Sequence, residues 1–390
     1  MRGHLVEATW EYDRALYAPP RYQRSCRYQA FMPETLERLP SIETHVAGTI
    51  SAAEDAIRAL NAVAQPALQP LARLLLRTES IASSKVEGMQ VDARSLARAE
   101  ARSDLGDSIG REAFEILANV NAMQLAVETA TAAETLSLNH LLETHGVLLA
   151  NAGGSQTPGQ IRTVQNWIGG NDYNPCGAAF VPPPHEHVPE LLADLIAFCN
   201  DDSLPVLAQA AVAHAQFETI HPFADGNGRT GRALVQMLLR RRGLAPDYVP
   251  PISVVLASDK ARYISGLEAF REGRENEWLE NFAVSAARAA DMAKSYLTRV
   301  LELQEYWRQK LAQLDLRSDA AAWHIIDALP GHPIISQPIA ATATARSRTA
   351  VQQGIDQLVS VGVLAPITSG KRNRQWEAEG LLDLVTDFNA

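Results

Sequence analysis

Twelve contiguous residues, HPFADGNGRTGR from His221 to Arg232, constrain this chain more than any other stretch. On either side, Val206–Thr219 and Arg229–Arg242 are rich in Ala, Leu and Arg, with apolar residues recurring every three or four positions. That spacing predicts helices, so the twelve residues form a loop that opens into a helix amino terminus. Gly226 and Gly228 allow a tight turn and a close backbone approach to a ligand. The free N–H groups of the following first turn, with the helix dipole, make an anion site. Arg229 and Arg232, three apart, offer guanidinium forks for phosphate oxygens. Asp225 supplies a hard oxygen suited to Mg²⁺ bridging phosphates. His221 can take a proton near neutral pH. Taken singly, each feature is common: loop histidines are mostly structural, and two arginines in one turn often only pair with carboxylates. Assembled in this order, they predict nucleotidyl or phosphoryl transfer to a hydroxyl.

The rest of the chain frames that loop. At 390 residues it has room for two or three domains. Its 35 basic and 45 acidic side chains give a net charge of −10, which excludes a surface that clings to nucleic acid all over. Cys26, Cys176 and Cys199 lack CxxC spacing and read as reduced thiols of a cytoplasmic protein. No apolar run of about 18 residues occurs, and the amino terminus lacks a signal peptide's apolar core, so no membrane partner is expected. Leu192–Phe198 adds another helical stretch, and strand signals are few.

Ala150–Pro184 breaks the helical pattern. Gly153-Gly154, Pro158-Gly159, Gly169-Gly170, Pro175 and Pro182-Pro183-Pro184 punctuate two short apolar pieces, Val164–Ile168 and Ala178–Val181, as in a short hairpin or flap. Further on, Ala289–Leu314 reads as one long helix. Ala320–Leu329, Ile339–Thr344 and Ser347–Val361 read as three shorter ones, with Ser347 a candidate N-cap. Val363-Leu364, a turn at Ser369-Gly370 and an extended Arg374–Glu377 follow. Three helices and a two-stranded wing resemble a winged helix-turn-helix. The expected fold class is therefore mainly α: a helical core with a short β-hairpin flap and a small carboxy-terminal winged helix.

HPFADGNGRTGR resembles, position for position, the signature of the Fic family (filamentation induced by cAMP), HxFx(D/E)GNGRxxR. The approach segment His214–Ile220 and the triple proline after the flap are also similar to the family, and the resemblance runs from about Pro66 to Phe282. It implies an all-helical core that transfers AMP from ATP to a Ser, Thr or Tyr hydroxyl of a protein, releasing pyrophosphate. By the same resemblance His221 deprotonates the hydroxyl, Asp225 holds Mg²⁺ on the α- and β-phosphates, and Phe223 anchors the loop. Gly226, Asn227 and Gly228 form the anion hole, Asn227 on the α-phosphate, with Thr230 and Gly231 completing the nucleotide-binding run. Arg229 contacts the β-phosphate and Arg232 the γ-phosphate. Kinase relatives carry a lysine in this part of the loop, so Gly226 resembles the AMP-transferring branch. Tyr263 and Leu267 fall where the family lines its adenine pocket; a buried tyrosine on an amphipathic helix is the competing reading.

Upstream, Ser83-Ser84-Lys85-Val86-Glu87-Gly88 resembles the family's inhibitory motif, (S/T)xxxE(G/N). Ser83 and Glu87, four apart, share a helix face, and Gly88 suits the residue after a helix end. In this resemblance Glu87 occupies Arg232, the clamp the γ-phosphate needs; in some relatives the same glutamate positions a water that removes AMP. The expected organisation is an amino-terminal helical region over 1–95, a catalytic core over 96–300, and a linker helix with the winged helix over 301–390. Flap residues Val164–Val181 would dock a target segment by strand addition, with Trp167 and Phe180 either shaping that groove or packing the hairpin. His185-Glu186-His187 reads as solvated, and His214 with Glu218 as scaffold. Residues 315–390 hold six basic and eight acidic side chains, the basic ones other than Arg317 clustering at the third helix start and at the wing tip, Lys371-Arg372-Asn373-Arg374. Partners left open are DNA, a docking protein, a homodimer and the chain itself as target. A DNA-binding regulator with a nucleotide-sensing core is the rival to the enzyme.

Overall fold

The computed structural model describes the chain except for residues 1, 14–17, 37–39, 63–68, 91, 104–105, 151–156, 369–372 and 390. Pro66, the Gly153-Gly154 pair, the Ser369-Gly370 turn, Lys371 and Arg372 therefore lie outside the described residues.

Two strands open the chain, β1 (Gly3–Trp10) and β2 (Cys26–Pro33). Helices α1 (Thr44–Asn61), α2 (Gln69–Val86), α3 (Ala93–Ser103), α4 (Arg111–Ala132) and α5 (Leu138–Leu148) follow. After the flap come α6 (Val188–Cys199), α7 (Val206–Ile220), α8 (Asn227–Arg241), α9 (Ile252–Ser258), α10 (Lys260–Arg271) and α11 (Glu275–Ala312). The last part holds α12 (Ala321–Ala328), β3 (Ile334–Ser336), α13 (Gln337–Thr344), α14 (Arg348–Ser360), β4 (Leu364–Pro366), β5 (Gln375–Ala378) and α15 (Leu381–Asn389). The mainly helical class is as the sequence predicts. The chain divides into two compact units.

Residues 1–52, 125–243 and 260–284 make the first unit. Its axis is α7, buried from Leu207 to Ile220; a helix so rich in Ala and Val, with no polar face, has to sit inside. Phe217, Phe223, Phe270, Trp278 and Phe282 pack the same core, and Trp278 donates its indole N–H to the Ala211 carbonyl at 2.8 Å. The β1–β2 hairpin is a second feature of this unit. Its two strands pair antiparallel from Gly3↔Pro33 to Trp10↔Cys26, and Phe31 N–H extends the pairing to the flap at Val181 O, 2.8 Å.

Here the expectation of reduced thiols is overturned. Cys26 and Cys176 form a disulfide, Cα atoms 6.1 Å apart, across a sequence separation of 150. Nothing in the local spacing marks a pair brought together only when β2 meets the flap. Cys199 is free and buried, and burial pushes its thiol up to about 12. The flap itself is slighter than a two-stranded hairpin: Ile168 and Phe180 form one isolated bridge.

Residues 53–124, 244–259 and 285–390 make the second unit. Ile81 of α2, Leu96 of α3 and Ile116 of α4 share one cluster. Buried Glu79 ties α2 to α9, accepting from Ser253 N–H at 2.9 Å and Ser253 Oγ at 2.6 Å. The long helix α11 starts at Glu275, fourteen residues before the predicted Ala289. Gly273, at φ 84°, ends α10, and Glu275 and Glu277 stabilise the new first turn against the helix dipole. Helices α12, α13 and α14 match the three predicted ones, and Ser347 caps α14 by accepting from Ala350 N–H at 3.3 Å. Beside them lies a three-stranded sheet ordered β3-β5-β4, one strand more than expected, followed by α15.

Candidate active site

The signature loop is framed by two left-handed corners. His221 closes α7 at φ 51°, its N–H bonded to Phe217 O at 2.9 Å. A non-glycine residue rarely adopts that φ. At the other end Gly226 sits at φ 76°, a conformation that favours glycine, and a Cβ there would lie a tight 3.1 Å from Leu148 Cδ2. The first bond inside α8 runs from Thr230 N–H to Gly226 O, 3.0 Å. The N–H groups of Asn227, Gly228 and Arg229 precede it and define an anion-attracting helix mouth.

Side chains from four places hold this loop still. Asn227 closes it on itself: Nδ2 donates to Phe223 O at 2.9 Å, and Oδ1 accepts from Phe223 N–H at 2.8 Å. One amide proton and the amide oxygen are thereby engaged. Phe223 is fully buried and stacks on His145 of α5, centroids 3.7 Å apart and planes 5° from parallel. Gly159 N–H donates to His145 Nδ1 at 3.0 Å, which assigns the ring proton to Nε2, 3.0 Å from Asp225 O. Burial lowers the His145 pKa, and the neutral ring suits both bonds.

From the start of the flap, Arg162 Nε and Asn166 Nδ2 both donate to His221 O, at 2.9 and 3.1 Å. Arg162 also bonds the carbonyls of Val164 and Pro183, and burial pulls its pKa down to about 10. His145, Arg162 and Asn166 escaped the sequence reading. They come from α5 and the flap, and no spacing or composition distinguishes them.

Of the predicted site residues, Asp225 points one carboxylate oxygen to Gly226 N–H at 2.7 Å and the other toward Arg229 Nη2 at 4.0 Å, with its side chain 46% exposed. Arg229, Thr230 and Arg232 are deeply buried. Gly231 faces α7, where an added Cβ would meet Glu218, Phe217 and His214. Tyr263 and Leu267, on α10, are buried; Tyr263 Oη lies 2.9 Å from His214 Nε2, against Trp278. Trp167 packs edge-on against Trp10, centroids 5.4 Å apart, and Phe180 lies under Arg271 at 4.0 Å. A cleft of about 480 Å³ runs between β2, the flap and α10.

Within the second unit, Ser83 is buried on α2 and Glu87 is exposed just past its end. The helix stops at Val86, so Glu87 belongs to the closing turn and not to a helix face shared with Ser83. Gly88, at φ 90°, takes the left-handed position after the helix, with its N–H on Lys85 O at 2.9 Å.

Known proteins are similar to this chain in sequence and in fold. The family model described as Fic/DOC family matches residues 135–239, and that described as Fic/DOC family N-terminal matches residues 48–128. The chain is 36% identical over 118 residues to protein adenylyltransferase fic-1 of Caenorhabditis briggsae, covering 30% of this chain and 21% of that protein. It is 37% identical over 98 residues to the probable protein adenylyltransferase aq_aa38 of Aquifex aeolicus, 25% of this chain and 28% of that one. It thus spans less than a third of these relatives' length. In fold it is similar to a Fic family protein from Desulfovibrio desulfuricans, with a TM-score of 0.52 and 20% identity over 88% of this chain and 98% of the other. Fic-1 of Caenorhabditis elegans gives a TM-score of 0.51 and 22% identity, over 65% and 73%.

Proposed function

We propose, from the premise that this chain belongs to the Fic/DOC family, that it transfers AMP from ATP to a hydroxyl of a protein and releases pyrophosphate. The observation that carries this reading is the corner between His221 and Gly226: a helix mouth that attracts anions, two buried arginines on the turns behind it, and an imidazole at its edge. In this reading the α-phosphate meets the N–H groups of Asn227 and Gly228. Arg229 and Arg232 bind the β- and γ-phosphates, and Tyr263 and Leu267 face the adenine side. His221 takes the hydroxyl proton as oxygen attacks the α-phosphorus.

Mg²⁺ fits this site as a companion of the nucleotide. Asp225 offers a half-exposed carboxylate, and among the described residues no cluster of three or more His, Cys, Asp or Glu makes a protein cage. Mg²⁺ commonly binds through one carboxylate plus phosphate oxygens, and there it would neutralise phosphate charge.

The brake belongs to the same reading: Glu87 competes with the γ-phosphate for Arg232, a charge-assisted pairing strong enough to matter. Residues 1–95 then carry the inhibitory segment, 96–300 the core, and 301–390 the linker helix and a winged helix. Replacing Glu87 with Gly should raise transfer of label from α-phosphate-labelled ATP to protein, or to the chain itself. Adding His221→Ala should abolish the label while ATP still binds. Labelling that survives His221→Ala would refute the reading, and AMP removal lost in Glu87→Gly would favour the reverse reaction. Among the described residues no helix is long and apolar enough to cross a membrane. A cytoplasmic location is part of the proposal, and there the Cys26–Cys176 pair would face a reducing pool.

A DNA-binding role for the carboxy-terminal helices is the second reading, favoured by the outward face of α14. Arg348, Thr349, Gln353 and Asp356 are exposed there, and Gln337 of α13 borders the same groove. Arginine and glutamine can each bond a base edge bidentately. Retention of the full chain on duplex DNA should then fall steeply between 50 and 200 mM salt; salt-independent or absent retention would refute it.

A further inference from the structure

His221 has its backbone fixed from three sides, which leaves the orientation and tautomer of its ring to be set by something else. Its N–H is bonded to Phe217 O, and its carbonyl accepts from Arg162 and Asn166. The charged side chain that meets the ring is Glu218, three residues back on α7. Glu218 Oε2 lies 4.0 Å from His221 Nδ1, and both side chains are largely sheltered, at 9% and 19% exposure. That separation is an ion-pair distance and not yet a hydrogen bond; such contacts commonly tighten when substrate binds.

The carboxylate is there because α8 leaves it a notch. A Cβ on Gly231 would stand 2.7 Å from Glu218 Oε1 and 3.0 Å from Phe217 Cδ1. His214 Nδ1 borders the same notch, 3.2 Å from that point. From α10, Arg271 is close enough for Glu218 to act on its charge. Gly231 occupies a variable position of the signature, and turn geometry does not account for its lack of a side chain. Its φ is ordinary, as it is absent from the glycines at positive φ.

We propose that Glu218 is a positioning residue for His221, with Gly231 the notch that seats it. Glu218 accepts a hydrogen bond from Nδ1–H, which keeps the proton on Nδ1, so the lone pair that takes the acceptor hydroxyl's proton is on Nε2. As the new O–P bond forms at the α-phosphorus and the bond to pyrophosphate breaks, the hydroxyl proton moves to Nε2. The carboxylate then faces the imidazolium until that proton passes to solvent. The inference rests on His221 acting as the base.

Four proteins in the Glu87→Gly background test it: the parent, Glu218→Gln, Gly231→Ala and His221→Ala. Glu218→Gln should lower kcat by about 10- to 100-fold, within the range of a general base's contribution, and leave the KM for ATP within about threefold. Histidine-selective ¹⁵N spectra of the full chain should place the His221 proton on Nδ1 in the parent and distribute it over both nitrogens in Glu218→Gln. Gly231→Ala, which displaces the carboxylate without removing it, should reproduce both effects. A Glu218→Gln enzyme at full kcat beside a dead His221→Ala would sink the inference alone. So would a parent spectrum with the proton on Nε2, a measurement that needs neither Glu218→Gln nor Gly231→Ala to fold. Transfer that survives His221→Ala would remove the base, and the role of Glu218 with it.

Discussion

At the residue scale, burial decides what a titratable group does. His332, in the second unit, is surrounded closely enough that burial, reinforced by Arg73, pulls its pKa down to about 4. The unfolded chain, with a value near 6.5, binds the proton more readily. Stability therefore falls as pH drops from about 6.5 to about 4 and levels off below that, a loss on the order of 3 kcal/mol for this one group. Replacing His332 with Gln removes the titration. Denaturant midpoints taken at pH 7 and pH 5 should differ less in the variant than in the parent, and equal differences would contradict the burial argument. Asn227 makes the complementary point. Its identity is plain in the sequence, where the signature gives it to phosphate; the structure adds that its side chain also clasps Phe223's backbone. Such a loop clasp is invisible until φ and ψ are known.

Elements are legible in proportion to how local their causes are. Helices α6, α7, α8, α12 and α14 follow from periodicity and caps within their own residues, as Ser347 does for α14. The start of α11 depended on an acidic first turn after Gly273, a signal present in the sequence but outweighed by the later alternation of charge. The β1–β2 hairpin and its disulfide depend on the flap, about 150 residues away. Around that bond, Tyr22 stacks on Tyr173 with centroids 5.2 Å apart, and Asn174 Nδ2 donates to Tyr22 O at 3.0 Å. Closing so long a loop stabilises a fold by up to about 4–5 kcal/mol in the chain-entropy picture. A phosphine reductant should thus lower the guanidinium unfolding midpoint of the parent and leave Cys26→Ser unchanged, since that variant has no Cys26–Cys176 bond to reduce. Identical parent midpoints with and without reductant would show that the aromatic pairs alone hold the hairpin.

For the whole molecule, the division of labour is chemical. One unit contains the corner with His221, Asp225, Arg229 and Arg232; the other contains α2, whose end presents Glu87 and whose middle is fixed by Glu79 on Ser253. The candidate site's loop is legible because its residues stand together in twelve adjacent positions. The groups that immobilise it, His145, Arg162 and Asn166, are not, because they arrive from elsewhere in the fold. The central claim is that this corner moves AMP once Glu87 is gone. Intact mass spectrometry of the Glu87→Gly chain incubated with Mg-ATP, alone and with a cell lysate, tests it most directly. The account predicts adenylyl-sized mass additions, on this chain or on lysate proteins, that vanish when His221→Ala is added. No addition on any protein from a variant that demonstrably binds ATP would contradict it.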